Sequence, residues 1–457
     1  MSKKMLKALC LALVIAMAIA CCPGCTLLLS AGKSWSIGAE ETAGFGETAV
    51  PESAEPTRSA AEATPEVPNT ATFAQTTLLS LNECAVTATA FDPDAYWGPA
   101  FTFQLENNTD KTLMFSIEDA SINGIMCDPF WACQVEPGKK ANSEVSWMED
   151  TLAAYGINYL EQVEFKLRVY DYDDWSADDI FGDMMTLVVE NTSSLPPVSE
   201  VAYEDGFAQQ TILDNGQFTL SLKNYEPDGE WGPTLLFFIV NKTAQNLMFT
   251  GKNISVNGIM CDPYWAYEVA PGKSAYCPAN WMTASLETCG INYLSEVEMT
   301  LRVYDSDDWS ADDVYNGALA VQLYNASSQP PVSEVVYTNG YAEQTLVDNE
   351  ALTVIARDFN PEGEWGPTLV LFLNNKTDRT LMFTMEGVAV NDFMCDPYWG
   401  CEVSPGKIAY SQVNWMSSTV EASGISAFEK VDFTLRVYDT NDWSADDLIN
   451  ETFQLTF

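Results

Sequence analysis

From Gln217 to Lys223 the chain reads Gln-Phe-Thr-Leu-Ser-Leu-Lys, alternating polar and apolar. That period of two is the signature of a strand with one face buried. From Thr234, Thr-Leu-Leu-Phe-Phe-Ile-Val is a nearly continuous apolar run, the pattern of a strand covered on both faces. Leu-Met-Phe-Thr at Leu247, Ile-Ser-Val-Asn-Gly at Ile254 and Trp-Ala-Tyr-Glu-Val at Trp265 follow. Glu-Met-Thr-Leu-Arg-Val-Tyr at Glu298 and Ala-Leu-Ala-Val-Gln-Leu-Tyr at Ala318 close the series. Asn-Lys-Thr, Asn-Gly, Asp-Pro and Pro-Gly turns punctuate these seven or eight predicted strands. One short helical pattern near Ser285 interrupts them and stops at Gly290.

The same pattern occurs three times. Val-Tyr-Asp-Tyr-Asp-Asp-Trp-Ser-Ala-Asp-Asp starts at Val169, and near-copies start at Val303 and Val437, a spacing of 134 residues. Trp-Gly-Pro and Met-Cys-Asp-Pro stretches repeat at the same interval. The pattern predicts an all-β chain of three tandem antiparallel β-sandwich domains, with a barrel as the other closed solution. The expected domains are 73–192, 206–326 and 340–457, joined by linkers at 193–205 and 327–339. Both linkers contain Pro-Pro-Val-Ser-Glu, so three beads on a stiff string are expected.

Residues 1–20 read as a secretory signal: Lys3, Lys4 and Lys7, then an apolar run from Ala8 to Ala20, too short for a comfortable membrane span. Ala18-Ile19-Ala20-Cys21 resembles a bacterial lipobox, which makes Cys21 the expected lipidation site, with Cys22 and Cys25 as rivals. Residues 21–72 read as a disordered tether, dominated over much of its length by Ala, Glu, Thr, Pro and Ser, where apolar side chains are too sparse to offset the entropy of ordering. The expected location is therefore outside the cell, on the outer face of the cytoplasmic membrane.

The order Asn-x-Thr, Asn-Gly, Pro-Gly-Lys, Gly-Ile, then Val-Glu-Phe-x-Leu-Arg-Val-Tyr-Asp resembles repeat domains of secreted or lipid-anchored Firmicutes proteins. These are similar to telokin-like, immunoglobulin-like domains. The resemblance covers nearly all of each copy and implies an immunoglobulin-like sandwich on a cell surface. It implies no activity.

Charge narrows the partners. Sixty-five Asp and Glu against 21 Lys and Arg give a formal charge of -44, which repels nucleic acid and anionic membrane surfaces. The membrane is reached through the N-terminal lipid alone, and an extracellular protein or glycan is the remaining partner class. Histidine is absent, which removes Ser-His-Asp and Cys-His nucleophile systems and His-containing zinc sites. Paired carboxylates alone remain for hydrolysis, and a feature kept in three copies reads as display, so no enzyme and no cofactor are expected.

Three constellations carry candidate chemistry. Asp171, Asp173, Asp174, Asp178 and Asp179, with Asp305, Asp307, Asp308, Asp312 and Asp313, then Asp439, Asn441, Asp442, Asp446 and Asp447, offer oxygens of the kind calcium takes. The same residues also read as a capped turn, with Ser176 as the cap and two acids in the first helical turn. Trp97, Trp131, Trp231, Trp265, Trp365 and Trp399, with Phe130, Tyr264 and Tyr398 beside them, are candidate ligand contacts, since an indole stacks on a sugar ring while nearby acids take its hydroxyls. Trp147, Trp281 and Trp415 are expected in the core. Disulfides are expected between Cys127 and Cys133 and between Cys395 and Cys401, with Cys277 to Cys289 as an option in the second copy.

Overall fold

A computed structural model describes residues 70–174, 176–203, 207–308, 310–324, 327–397, 399–442 and 444–457. Cys21, the signal segment, nearly all of the tether, Tyr398 and the tryptophans of the three acidic stretches lie outside the described residues. What is described is β-sandwich with three short helices.

In the second repeat one sheet contains, in order, Gln210–Asp214, Phe218–Glu226, Thr234–Asn241 and Ser274–Asn280, all antiparallel. The other places Tyr315–Gln322 beside Glu296–Asp305, then Leu247–Val256, which also pairs with Ala266–Val269. The chain changes sheet after Asn241 and again after Val269, so the two inner faces enclose one core. That core includes Phe218, Phe237, Phe249 and Trp281, all essentially buried. The first and third repeats follow the same order around their own cores.

The two fragments read at Leu247 and Ile254 are one strand. A bulge between Lys252 and Ser255 separates their patterns, and Asn253 enters the left-handed region there with φ 53°. The predicted helix is present as Thr283–Thr288, and Gly290 takes φ 68° just beyond it.

The joints are not free spacers. Val332 bridges Ile291, Ser333 N–H donates to the Gly290 carbonyl at 2.8 Å, and Asn292 N–H donates to the Pro331 carbonyl at 2.9 Å. The first joint does the same through Val198, Ser199 and Pro197. The backbone lies so close that a Cβ at Gly156 or Gly290 would run into the Ser199 or Ser333 carbonyl. The repeats also share sheets: Ile125 pairs in parallel with Ser274, and Ile259 with Ile408. Backbone pairing across the repeats thus replaces the beads-on-a-string arrangement. At the start of the first repeat, Ala71–Thr72 pairs with Glu190–Asn191, and Phe73 packs edge-on against Phe101 at 5.1 Å. The first repeat's pairing thus includes residues 71 and 72, ahead of the boundary expected at residue 73.

Candidate functional site

The acidic stretches follow the strands Gln162–Asp171, Glu296–Asp305 and Lys430–Asp439. Their first aspartate is buried and belongs to the strand end. Asp171 accepts from Lys111 Nζ at 2.7 Å, Asp305 from Gln245 Nε2 at 2.7 Å, and Arg379 stands 3.8 Å from Asp439. Each also accepts the backbone N–H two residues on, closing a turn at 3.1, 2.9 and 2.9 Å.

The cap runs opposite to the one expected. Asp174, Asp308 and Asp442 accept both the backbone N–H and the hydroxyl of Ser176, Ser310 and Ser444, the hydroxyl contacts being 2.7, 2.6 and 2.7 Å. The serines donate and the aspartates cap. An ionised carboxylate is the stronger acceptor, so it takes the role. The last acid of each stretch is held by arginine: Arg168 meets Asp179 through Nε at 2.6 Å and Nη2 at 3.0 Å. Arg302 and Arg436 repeat this on Asp313 and Asp447. Each guanidinium also covers the tyrosine two residues on, 4.3 to 4.6 Å from the ring centre.

The carboxylates are thus spread over a strand end, a turn and an arginine. Among the described residues no three His, Cys, Asp or Glu side chains are grouped to hold a metal ion. Asp178, Asp312 and Asp446 stand toward solvent.

Hydrogen bonds from Ser176, Ser310 and Ser444 hold Asp174, Asp308 and Asp442 below the ordinary carboxylate value of 3.8, and Arg436 does the same for Asp447. A carboxylate lowered in the fold contributes stability above its unfolded value and loses it as pH falls toward the lower folded one. The melting temperature should therefore be level with respect to these groups near pH 6 and should drop steeply below about pH 4. A scan of melting temperature from pH 6 to pH 2 measures it. Only the limb below about pH 4 decides, because Asp128, raised to about 6 by burial, stabilises the fold as it is protonated above that; a curve still rising below about pH 4 would contradict the pairing.

The tryptophans divide. Trp147, Trp281 and Trp415 are core residues, and each Nε1–H donates to a cysteine carbonyl, Cys127, Cys261 and Cys395, at 2.7 to 2.9 Å. Trp131 and Trp265, proposed from the sequence as ligand contacts, are buried too, packed on Phe103 at 5.6 Å and Phe237 at 5.4 Å. Apolar inner-sheet surface needs covering there, and the indole covers it. Trp399 is half-buried. Trp131 and Trp399 donate to Ser143 and Ser411, each at 2.9 Å. The second repeat has Cys277 at that position, and Trp265 Nε1 has no hydrogen-bond partner among the described residues.

Trp97 and Trp231 remain exposed, at 37% and 53%, and Trp365 is half-buried. Their loops are pinned to the helix start: Glu149 N–H donates to the Trp97 carbonyl at 3.3 Å and Ser417 N–H to that of Trp365 at 3.0 Å. Tyr264 joins the same end by pairing with Asn280. Met148, Met282 and Met416, which precede the helices, are exposed, as are Phe130 and Tyr264. Position and residue type had singled out the tryptophans and their aromatic neighbours. The methionines were missed, and the 134-residue repeat of an exposed apolar side chain before a helix is the signal that finds them. Acids flank each loop: Asp92 and Asp94, Glu226, Asp228 and Glu230, then Glu362 and Glu364.

The expected disulfides are absent. Cys127, Cys133, Cys277, Cys289, Cys395 and Cys401 are free thiols. Cys133 and Cys401 sit on strands with Sγ toward the carbonyls of Gln134 and Glu402, and Cys277 lies inside a sheet opposite Phe237. The neighbour of Cys261 is instead at the end of the short helix: its thiol faces that of Cys289, and the Cys395 thiol faces the Ser423 hydroxyl. The Cys289 thiol and burial push Cys261 up. Cys289 is the partner held below the ordinary thiol value, so once local opening admits diamide it should attack and link to Cys261 rather than to Cys277, each thiol giving up one hydrogen to the reagent. Non-reducing peptide mapping reads it, and a Cys277–Cys289 link would contradict the geometry.

No known protein-family model matches the chain, and no curated protein matches it.

Proposed function

We propose that this chain is a non-catalytic binding or adhesion module, carried outside the cell on a lipid at Cys21. The observation that supports it best is the set of large apolar side chains left open on equivalent loops: Trp97, Phe130 and Met148 in the first repeat, Trp231, Tyr264 and Met282 in the second, and Met416, with half-buried Trp365, in the third. A passive spacer has no use for large apolar side chains held open to solvent at equivalent places, whereas weak repeated contacts gain by avidity. Fixed spacing strengthens that gain, because the shared sheets set the distance between these loops.

A carbohydrate ligand is the second reading, favoured by the carboxylates beside each ring. A pyranose face stacks on indole while acids accept its hydroxyl protons. Glycan-array binding by the full chain, repeated with Trp97→Ala, Trp231→Ala and Trp365→Ala together, tests both. Binding lost in the triple variant supports the sugar reading. A blank array with retained adhesion to cell-surface protein leaves the general one, and no binding to either returns the chain to a spacer.

A further inference from the structure

Each internal junction uses the same parts. Met126 of the first repeat packs on the core of the second, and Met260 of the second on the core of the third. Ser274 and Ile408 donate backbone N–H groups to the Gly124 and Gly258 carbonyls at 2.9 and 3.2 Å. Lys273 pairs with Glu164, and Lys407 with Glu298, at equivalent places. At the second junction Met260 borders a cleft of about 250 Å³ lined also by Gly400, Cys401, Ala409 and Ser411.

Both halves of this joint recur at the outer repeats with no repeat docked on them among the described residues. In the third repeat Phe393 and Met394 take the places of Ile125–Met126 and Ile259–Met260. They are 59% and 64% exposed, whereas Ile125 and Ile259 are 7% and 2%. Asp432 stands where Glu164 and Glu298 stand. In the first repeat, Lys139 occupies the place of Lys273 and Lys407 and is exposed, and Lys140–Ser146 is the receiving strand. Ala132, Cys133, Ala141 and Ser143 match the cleft that Met260 borders.

We propose that the third repeat docks on the first repeat of a second copy of this chain, head to tail, extending the row of shared sheets. Phe393 pairs with Lys140 in the register of Ile125 with Ser274, Met394 enters the cleft beside Cys133 and Ala141, and Asp432 meets Lys139. The contact is heterologous, so copies add without closing on themselves. It is weaker than the internal joints for stated reasons. Asn142 replaces Tyr276 and Tyr410, Ser423 replaces Tyr155 and Cys289, and Asp432 already holds Lys430 and Gln454. Tyr276 stacks on Tyr155 at 4.9 Å in the first junction, and that contact is lost. Association is accordingly reversible and concentration-dependent.

Sedimentation equilibrium on the full chain in mild detergent tests this, with Met394→Lys and Lys139→Glu as variants at exposed positions. Wild type should exceed the mass of a dimer as concentration rises toward about 1 mM. Each variant alone should associate at least about tenfold more weakly. Mixed in equal amounts, the two should form a dimer and stop, because one keeps an intact first repeat and the other an intact third. A wild type that stays monomeric, association indifferent to both variants, or a mixture without dimer overturns the proposal.

Discussion

Trp281→Ala should lower stability by about 3–5 kcal/mol, the range for emptying an aromatic site in a core. Trp281 is wholly buried, and its Nε1–H donates to the Cys261 carbonyl at 2.9 Å. Alanine removes the ring from between the sheets and leaves that carbonyl without its donor, two losses that add. Urea unfolding followed by circular dichroism measures the change. Because the repeats share sheets, destabilising the middle one should also weaken its neighbours, as in other arrays where each repeat contacts the next. Trp231→Ala is the control: at 53% exposure its loss should stay within about 0.5 kcal/mol. If the two variants unfold alike, the division of the tryptophans into core and surface is wrong.

That division shows how far pattern carries. Alternation and apolar runs located the strands at Phe218, Thr234, Leu247, Ala266 and Glu296, because each has a face buried in its own repeat's core. Ser274–Asn280 went unread: Pro278 and small residues disguise a strand whose outer half serves the neighbouring repeat. Shared sheets are invisible to period, since a backbone N–H carries no side-chain signature. Joint residues misled for a related reason. Pro-Pro signals extension, yet Gly156 and Gly290 open room for the joint to lie down. At the acidic stretches residue type suggests a shared site that the fold does not assemble, because arginines eleven residues earlier on the strand claim the final aspartates. Trp131 and Trp265 are buried against Phe103 and Phe237 of their own repeats while Trp97 and Trp231 stay open, a difference that nearby prolines do not signal.

Asn241→Asp should be the most pH-sensitive of the destabilising changes. Asn241 is 1% exposed. Its Nδ2 donates to the carbonyls of Gln245 at 2.8 Å, Val269 at 2.8 Å and Ala270 at 3.1 Å, while Oδ1 accepts from Thr243 N–H at 2.9 Å and Thr243 Oγ1 at 2.8 Å. The amide thus ties two loops to the strand end, and Asn107 and Asn375 do the same in the other repeats. A carboxylate keeps the acceptor but turns the donor into a second anion facing three carbonyls. At neutral pH the cost should be about 3–5 kcal/mol, the range for an uncompensated buried charge. Burial and the carbonyls raise the folded carboxyl above its unfolded value, so the penalty is complete above the folded value and shrinks as pH falls toward the unfolded one. Relative to wild type, the variant should therefore recover between about pH 7 and pH 4, since a protonated carboxyl donates one hydrogen bond again. Asn241→Leu separates the charge from the lost contacts: it should be destabilised by about 2–4 kcal/mol at every pH. Urea midpoints of the three proteins at pH 7 and pH 5 decide it, and a pH-independent gap between Asn241→Asp and wild type would mean the carboxylate finds water.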